Sequence, residues 1–462
     1  MAQSFIAGAA VADITPRDSQ FLFGYPHVRR YSTGVHDPLL SSALYLSDGE
    51  TPLLLIANDV IFVSRQTAAR ARERIAQRIR VPAANMMITA THTHSGPMTV
   101  DMLSSEADQA VPKTDPEYVR QLEDGMVEAA LKAYENAKPA RIGLAVADGS
   151  CAGTNRHDPA GPFDPDVPVL VIRAVDDQAF VAAMVVCSMH PTVLHEDSTL
   201  VSGDFPAMAR QYLQQHVLGN DCPVVYHTGP CANQSPRHVT KANTFDEATR
   251  LGQALGRSIA GAVGSIVYAD DPRLGCVRGL VDLPPRILPS VTEAQEQLEH
   301  SAKRLERKKG SGPICRNGPE GASHKSDLSP FSAEVRTAEC DWFGAEETLT
   351  LARAAATGRL EALIASVMPA EIMVMRVGPW SFVGWPGEIS VEYALEVKAR
   401  QPDCYVISLA NGELQGYVVT EKAMREGRYE ALNALFSGPE SGRLLVEKTL
   451  ELLDETAGAP RA

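Results

Sequence analysis

The chain lacks any Cys-x-x-Cys pair. Its cysteines, Cys151, Cys187, Cys222, Cys231, Cys276, Cys315, Cys340 and Cys404, stand apart, which excludes a zinc ribbon and a thioredoxin-like motif. Several lie in apolar runs, as Cys187 does in Met184-Val185-Val186-Cys187, where a thiol behaves as a small core residue. They read as reduced, so the expected compartment is a reducing one, the cytoplasm. Met1 to Ala10 has neither a basic n-region nor a long apolar h-region, and no signal peptide is expected. No apolar run reaches the roughly 18 residues of a spanning helix, so no membrane span is expected either. Positive charge is also short: 43 Lys and Arg stand against 57 Asp and Glu, a formal charge of −14. Nucleic acid and anionic membrane surfaces bind through an excess of Lys and Arg, which excludes both as expected partners. There is no internal repeat and no signature of an oligomeric state.

What is present is an ordinary globular composition, 462 residues with 44% hydrophobic and 22% charged. A core of that size needs no disulfides. Strand-like and helix-like segments alternate over the first 270 or so residues. Leu53 to Ala57 and Met86 to Ala90 read as strands, and Ser64 to Arg80 and Pro116 to Ala137 as helices. Val167 to Ala174 and Phe180 to Met189 read as a hairpin, Asp204 to His216 as a helix, Val224 to His227 as a strand and Phe245 to Ile266 as a helix. Further on, Ile372 to Val377, Ser381 to Gly384 and Tyr405 to Leu409 are strand-like, with a helix from Ile389 to Arg400. The pattern predicts an α/β fold of mixed β-sheets packed between helices. We expect one large catalytic domain over 1–462, with 290–368 as a helical insertion. Within it Val291 to Lys309 and Gly344 to Ser366 are helical, and the Gly-, Pro- and Ser-rich stretch near 310–329 is a mobile loop, either a flap over a site or a plain surface linker.

Candidate chemistry centres on Thr91-His92-Thr93-His94-Ser95-Gly96-Pro97. If the strand continues, side chains two positions apart share a face, roughly 6–7 Å from one another. Neutral imidazole is the commonest side-chain metal ligand and a general base near neutral pH. Alone, the pair is equally a polar loop after a core strand. His190 ends another apolar strand, and strand ends are where α/β proteins place ligands. Asn155-Arg156-His157 lies in a loop, and Tyr226-His227-Thr228-Gly229-Pro230 leads into Asn233-Gln234-Ser235-Pro236-Arg237. That Gly-led stretch lacks the spacing of a P-loop or a dinucleotide fingerprint, so no nucleotide is implied. Glu388 is expected to open the helix from Ile389, a position that the helix dipole alone explains.

These pieces together resemble the catalytic region of the neutral/alkaline (non-lysosomal) ceramidases. The resemblance runs through Ala7 to Pro16, Thr91 to Pro97, Gly153-Thr154-Asn155-Arg156, the segment at His190, Asn233 to Arg237, Pro386-Gly387-Glu388, Gly416-Tyr417-Val418-Val419-Thr420 and Tyr429-Glu430. It is weak or missing between 290 and 368. The resemblance implies one catalytic zinc ion held by His92, His190, Glu388 and Tyr417. It implies His94, Arg156 and Tyr429 as catalytic residues and Ser235 as a substrate-binding one. Nitrogen and oxygen ligands with an open position for water suit catalytic zinc. Zinc brings the pKa of bound water to about 7, and His94 would carry its proton to the leaving amine.

The chain departs from the family where the substrate is concerned. It ends at Ala462 without room for the family's immunoglobulin-like domain, reads Ser235-Pro236-Arg237-His238 and Tyr429-Glu430-Ala431, and replaces a Thr-Thr-x-Glu-Glu-Tyr run with Val419 to Met424. The expected function is therefore a zinc hydrolase cleaving an amide in a small molecule more compact or more polar than ceramide. A lactone or ester hydrolase with the same site is the nearest alternative, followed by a binding protein that keeps the fold without catalysis.

Overall fold

The computed structural model describes residues 5–309 and 333–458. The 310–329 loop expectation lies outside the described residues. The largest element is an eight-stranded mixed sheet. Its spatial order is Val224–Thr228, Phe180–Cys187, Asp166–Ala174, Lys138–Asp148, Ile6–Asp13, Leu40–Ser47, Pro52–Asn58 and Met86–Ala90. A second sheet has four strands, Leu274–Val281, Ala370–Val377, Trp380–Gly384 and Cys404–Ile407.

The two sheets pack face to face, and side-chain alternation explains how. In the Leu40 strand, Leu44 and Leu46 face the second sheet while Ala43 and Tyr45 face helices. Leu53, Leu55 and Ala57 alternate with Leu54 and Ile56 in the same way. On the second sheet, Met373, Met375, Phe382 and Ile407 meet the first, and Ile372, Val374, Val383 and Val406 point to the outer helices. A strand buried on both faces reads as a continuous apolar run, which is why these segments stand out in the sequence. Helices Arg65–Ala76 and Pro116–Glu135 cover one part of the large sheet, and Asp204–Leu213 and Phe245–Val263 another. The result is helix, sheet, sheet, helix: the α/β fold with mixed sheets between helices.

Strand order puts the Met86 and Val224 strands at opposite edges of the large sheet, yet they touch. Thr89 Oγ1 lies 2.8 Å from His227 Nδ1, and Thr228 Oγ1 donates to Thr91 O at 2.6 Å. The sheet coils until its edges meet, and this brings the loops after Ala90 and Cys187 together. The outer edge of the Met86 strand is closed by Asn411, whose N–H donates to Ile88 O at 2.7 Å while its Oδ1 accepts from Ile88 N at 2.8 Å.

Two expected boundaries change. The helix expected from Gly344 to Ser366 is two helices, Ala333–Ala356 and Arg359–Val367, because Gly358 turns left-handed at φ +72° and ends the first. Glu388 does not open a helix. It sits in a two-residue strand, and Ser390 caps the helix Val391–Arg400. Among the described residues no helix is long and apolar enough to cross a membrane.

One buried ion pair ties the large sheet to the helix behind His190. Arg210 donates to both oxygens of Asp59, at 2.9 and 2.6 Å, with both side chains over nine-tenths buried. Removing one partner strands the other charge, which costs about 3–5 kcal/mol. Asp59→Ala is therefore expected to lower the unfolding free energy by about that amount in urea titrations. A loss below about 1 kcal/mol would show that the guanidinium is solvated rather than paired.

Candidate active site

Strand pairing ends at Ala90, and the chain then turns: Thr91 N donates to Asn58 O and His92 N to Val60 O. His92 adopts φ +69°, a left-handed conformation that costs a non-glycine residue about 1–3 kcal/mol. His92 and His94 therefore do not share a strand face as the spacing predicts. The turn places their rings perpendicular, with centroids 5.0 Å apart. His190 leaves the Phe180 strand and is anchored through its own N–H to Gln234 O at 3.2 Å.

Hydrogen bonds at the back of each ring set the tautomer. His92 Nδ1 faces Ile61 O at 2.9 Å. His190 Nδ1 faces Cys231 O at 2.7 Å and Gln234 O at 3.2 Å. Carbonyls only accept, so both Nδ1 atoms carry the proton and both Nε2 atoms present a lone pair. Those two Nε2 atoms are 3.0 Å apart. With no proton between them, that approach is repulsive. Glu388 Oε2 completes a triangle, 3.1 Å from His92 Nε2 and 3.2 Å from His190 Nε2, with no hydrogen-bond partner of its own. All three residues are 3% exposed or less. Three electron-pair donors converging in a buried place call for a cation.

Tyr417 reaches this triangle through a two-residue parallel ladder in which Glu388 pairs with Tyr417 and Ile389 with Val418. The Arg156 guanidinium lies 5.6 Å from the Tyr417 ring centre and forms an ion pair with Glu430. Glu430 also meets His157 Nε2 at 3.0 Å. Burial would raise the Glu430 carboxyl, yet Arg156 and His157 hold it down at about 2. Tyr429 stands beside Tyr417, ring centres 6.3 Å apart. Burial pushes both phenols well above their ordinary value.

His94 completes the cluster. Its ligand atoms and those of His92 and His190 lie within 4.8 Å of one another. Neither ring nitrogen of His94 has a hydrogen-bond partner among the described residues. Burial, then the neighbouring His92 and His190, hold its pKa well below the ordinary value, so the ring is neutral. Gly24 makes room for it: a Cβ there would stand 2.3 Å from His94 Nδ1, and the backbone at φ +119° suits glycine.

His92, His94, Glu388, Tyr417 and Tyr429 all line one cleft of about 710 Å³, open mouth included. Phe23, Tyr25, Phe62, Met102 and Phe343 supply apolar wall, and Asp108, Glu346 and Glu347 supply acidic wall. Arg156 and Ser235 are not among its lining residues. Ser235, expected to bind substrate, is buried. Its Oγ accepts from Arg237 N at 3.2 Å and caps the short turn Pro236–His238, while its backbone pairs with Thr154. His227 is a core residue bonded to Thr89. Sequence reading missed Gly24, Glu430 and the acidic wall. The turn-like Phe23-Gly24-Tyr25-Pro26 was a signal for the first, and adjacency to Tyr429 for the second. The carbonyls behind the histidines have no sequence signal.

A family model described as neutral/alkaline non-lysosomal ceramidase, N-terminal, matches residues 5–236. Neutral ceramidase 1 of Arabidopsis thaliana is 24% identical over 261 residues, 51% of this chain and 32% of that protein. The neutral ceramidase of Mycobacterium tuberculosis is 25% identical over 238 residues, 46% of this chain and 36% of that protein. The aligned part is thus about a third of these relatives' length. The crystal structure of neutral ceramidase from Pseudomonas aeruginosa shares the fold, with a TM-score of 0.70 at 18% identity over 98% of this chain and 75% of that one. The chain belongs to the neutral/alkaline non-lysosomal ceramidase family.

Proposed function

We propose that the protein is a zinc-dependent hydrolase that cleaves an N-acyl (amide) bond with metal-activated water, on a substrate smaller or more polar than ceramide. One observation carries this reading: the buried triangle of His92 Nε2, His190 Nε2 and Glu388 Oε2, with edges of 3.0 to 3.2 Å. Donors about 3 Å apart around a common point would suit zinc, whose bonds to nitrogen and oxygen are about 2.0–2.2 Å. Two imidazoles and oxygen donors are a set that zinc favours. Tyr417, laddered to Glu388, would be the fourth protein ligand. A zinc ion held there would supply Lewis acidity and lower the pKa of a water to about 7.

The remaining roles belong to the chain's own residues. Neutral His94, with unpartnered nitrogens in the cleft, would take the water proton and return it to the departing amine nitrogen. Tyr429, kept protonated by burial, would donate to the carbonyl oxygen as negative charge develops. Arg156 stands behind Tyr417, held by Glu430, and would orient that phenol. Ser235 would act at one remove, holding the Gln234 carbonyl against His190. The cleft's acidic wall is unlike the apolar groove that a long-chain lipid needs. An ester or lactone hydrolase would use the same groups, except that an alkoxide leaves with less help from His94; turnover of matched amide and ester substrates separates the two.

Metal analysis of protein purified with zinc in excess is expected to give about one equivalent in wild type and below about a tenth in His92→Ala and Glu388→Ala. A wild-type content under about half an equivalent would overturn the proposal. His94→Ala is expected to keep its zinc and to lose about 10²- to 10⁴-fold in kcat on N-acyl substrates. Undiminished kcat in that variant would remove His94 from the chemistry.

A further inference from the structure

The acidic wall of the cleft holds an acceptor pair that the hydrolytic chemistry does not use. Glu347, on the helix Ala333–Ala356, lines the cleft and is 8% exposed, yet its Oε2 has no hydrogen-bond partner. Asn433 lies beside Glu347 and Tyr429 and also lines the cleft, and its Oδ1 is likewise without a partner. A buried acceptor left unsatisfied is costly, the more so when charged. Two such acceptors side by side on a ligand cleft call for a group with several N–H donors.

The neighbouring charges favour a cationic donor over a hydroxyl. Glu346 and Asp108 line the same wall and are held by His27: Glu346 Oε2 meets His27 Nε2 at 2.6 Å, and Asp108 Oδ2 accepts from His27 N at 2.6 Å. Arg286 is the cation whose charge reaches Glu347. Its Nη groups are committed elsewhere, to Ala431 O at 2.9 Å, Leu432 O at 2.6 Å and Thr348 Oγ1 at 2.9 Å, and no hydrogen bond joins its Nε to Glu347. Burial, then Glu346, push the Glu347 carboxyl up to about 8. An ammonium in contact with it offsets both effects.

We infer that Glu347 and Asn433 form a subsite for a protonated primary amine, and that the substrate is an amide carrying such an amine away from the scissile bond. The subsite and the metal triangle open on one cleft, so a single small molecule can reach both. Calling the occupant a substrate rests on the hydrolase reading above; amine binding does not.

The test is calorimetric titration of the full chain, metal-free and zinc-loaded, with hexylammonium, hexan-1-ol and hexanoate. Wild type is expected to bind the amine at least about tenfold more tightly than the alcohol and to show no binding of the carboxylate. Glu347→Gln is expected to abolish that preference while unfolding within a few degrees of wild type. Should the variant fail to fold, the wild-type ranking of the three probes decides. Equal binding of amine and alcohol, no detectable amine binding, or an amine preference surviving in a folded Glu347→Gln would each overturn the subsite. Zinc content measured on the same samples separates the two readings. Amine preference without zinc uptake removes the hydrolase and keeps the subsite, and zinc uptake without amine preference does the reverse.

Discussion

Two imidazole lone pairs and a carboxylate oxygen meet within about 3 Å among buried side chains. Much of the local structure exists to hold that unfavourable approach. Carbonyls of Ile61, Cys231 and Gln234 fix the protons on the far side of both rings, so neither ring can relieve the contact by tautomerising. His92 accepts a left-handed backbone to reach its position. Strain kept by the surroundings at one such residue is a mark of function, since the fold itself gains nothing from it.

The scaffold delivers these groups by three different devices. Coiling of the large sheet joins its edges through Thr89, His227, Thr91 and Thr228, and so sets the loop of His92 beside the loop of His190. A two-residue ladder gives Glu388 and Tyr417 a common register. A pair of short strands, Thr154–Asn155 against Gln234–Ser235, carries the carbonyl that holds His190 and the loop that positions Arg156. Each device joins segments distant in the chain.

The helix Ala333–Ala356 belongs to the stretch where family resemblance is weakest, and it supplies Phe343, Glu346 and Glu347 to the cleft. On the proposed reading, the groups that would face the reacting bond come from the family motifs, while those that would face the remainder of a ligand come from elsewhere. Such a division lets one hydrolytic centre serve chemically different substrates. The acidic wall argues for polarity in this one's substrate and accords with the departures in sequence around Ser235 and Tyr429.

Local periodicity made much of the fold legible. Strands buried on both faces appear as unbroken apolar runs, as at Leu53 to Ala57, and amphipathic helices such as Phe245–Val263 declare themselves by spacing. The motif residues His92, His94, His190, Glu388, Tyr417 and Tyr429 could be chosen from the sequence because their order matches a family. Their meeting could not be. Glu388 read as the first residue of a helix and is a strand partner of Tyr417. The cap that Ser235 provides to Arg237 N has no signal in the sequence. His92 and His94 read as strand neighbours and are set by a left-handed turn. The sequence alone determined which segments are strands and helices and which side chains are able to do chemistry, because both follow from neighbours a few residues apart. Tertiary structure alone decided that the chemistry-bearing groups converge and what faces them, because contacts between positions such as 92, 190 and 388 depend on how whole sheets coil and pack, which no local pattern encodes.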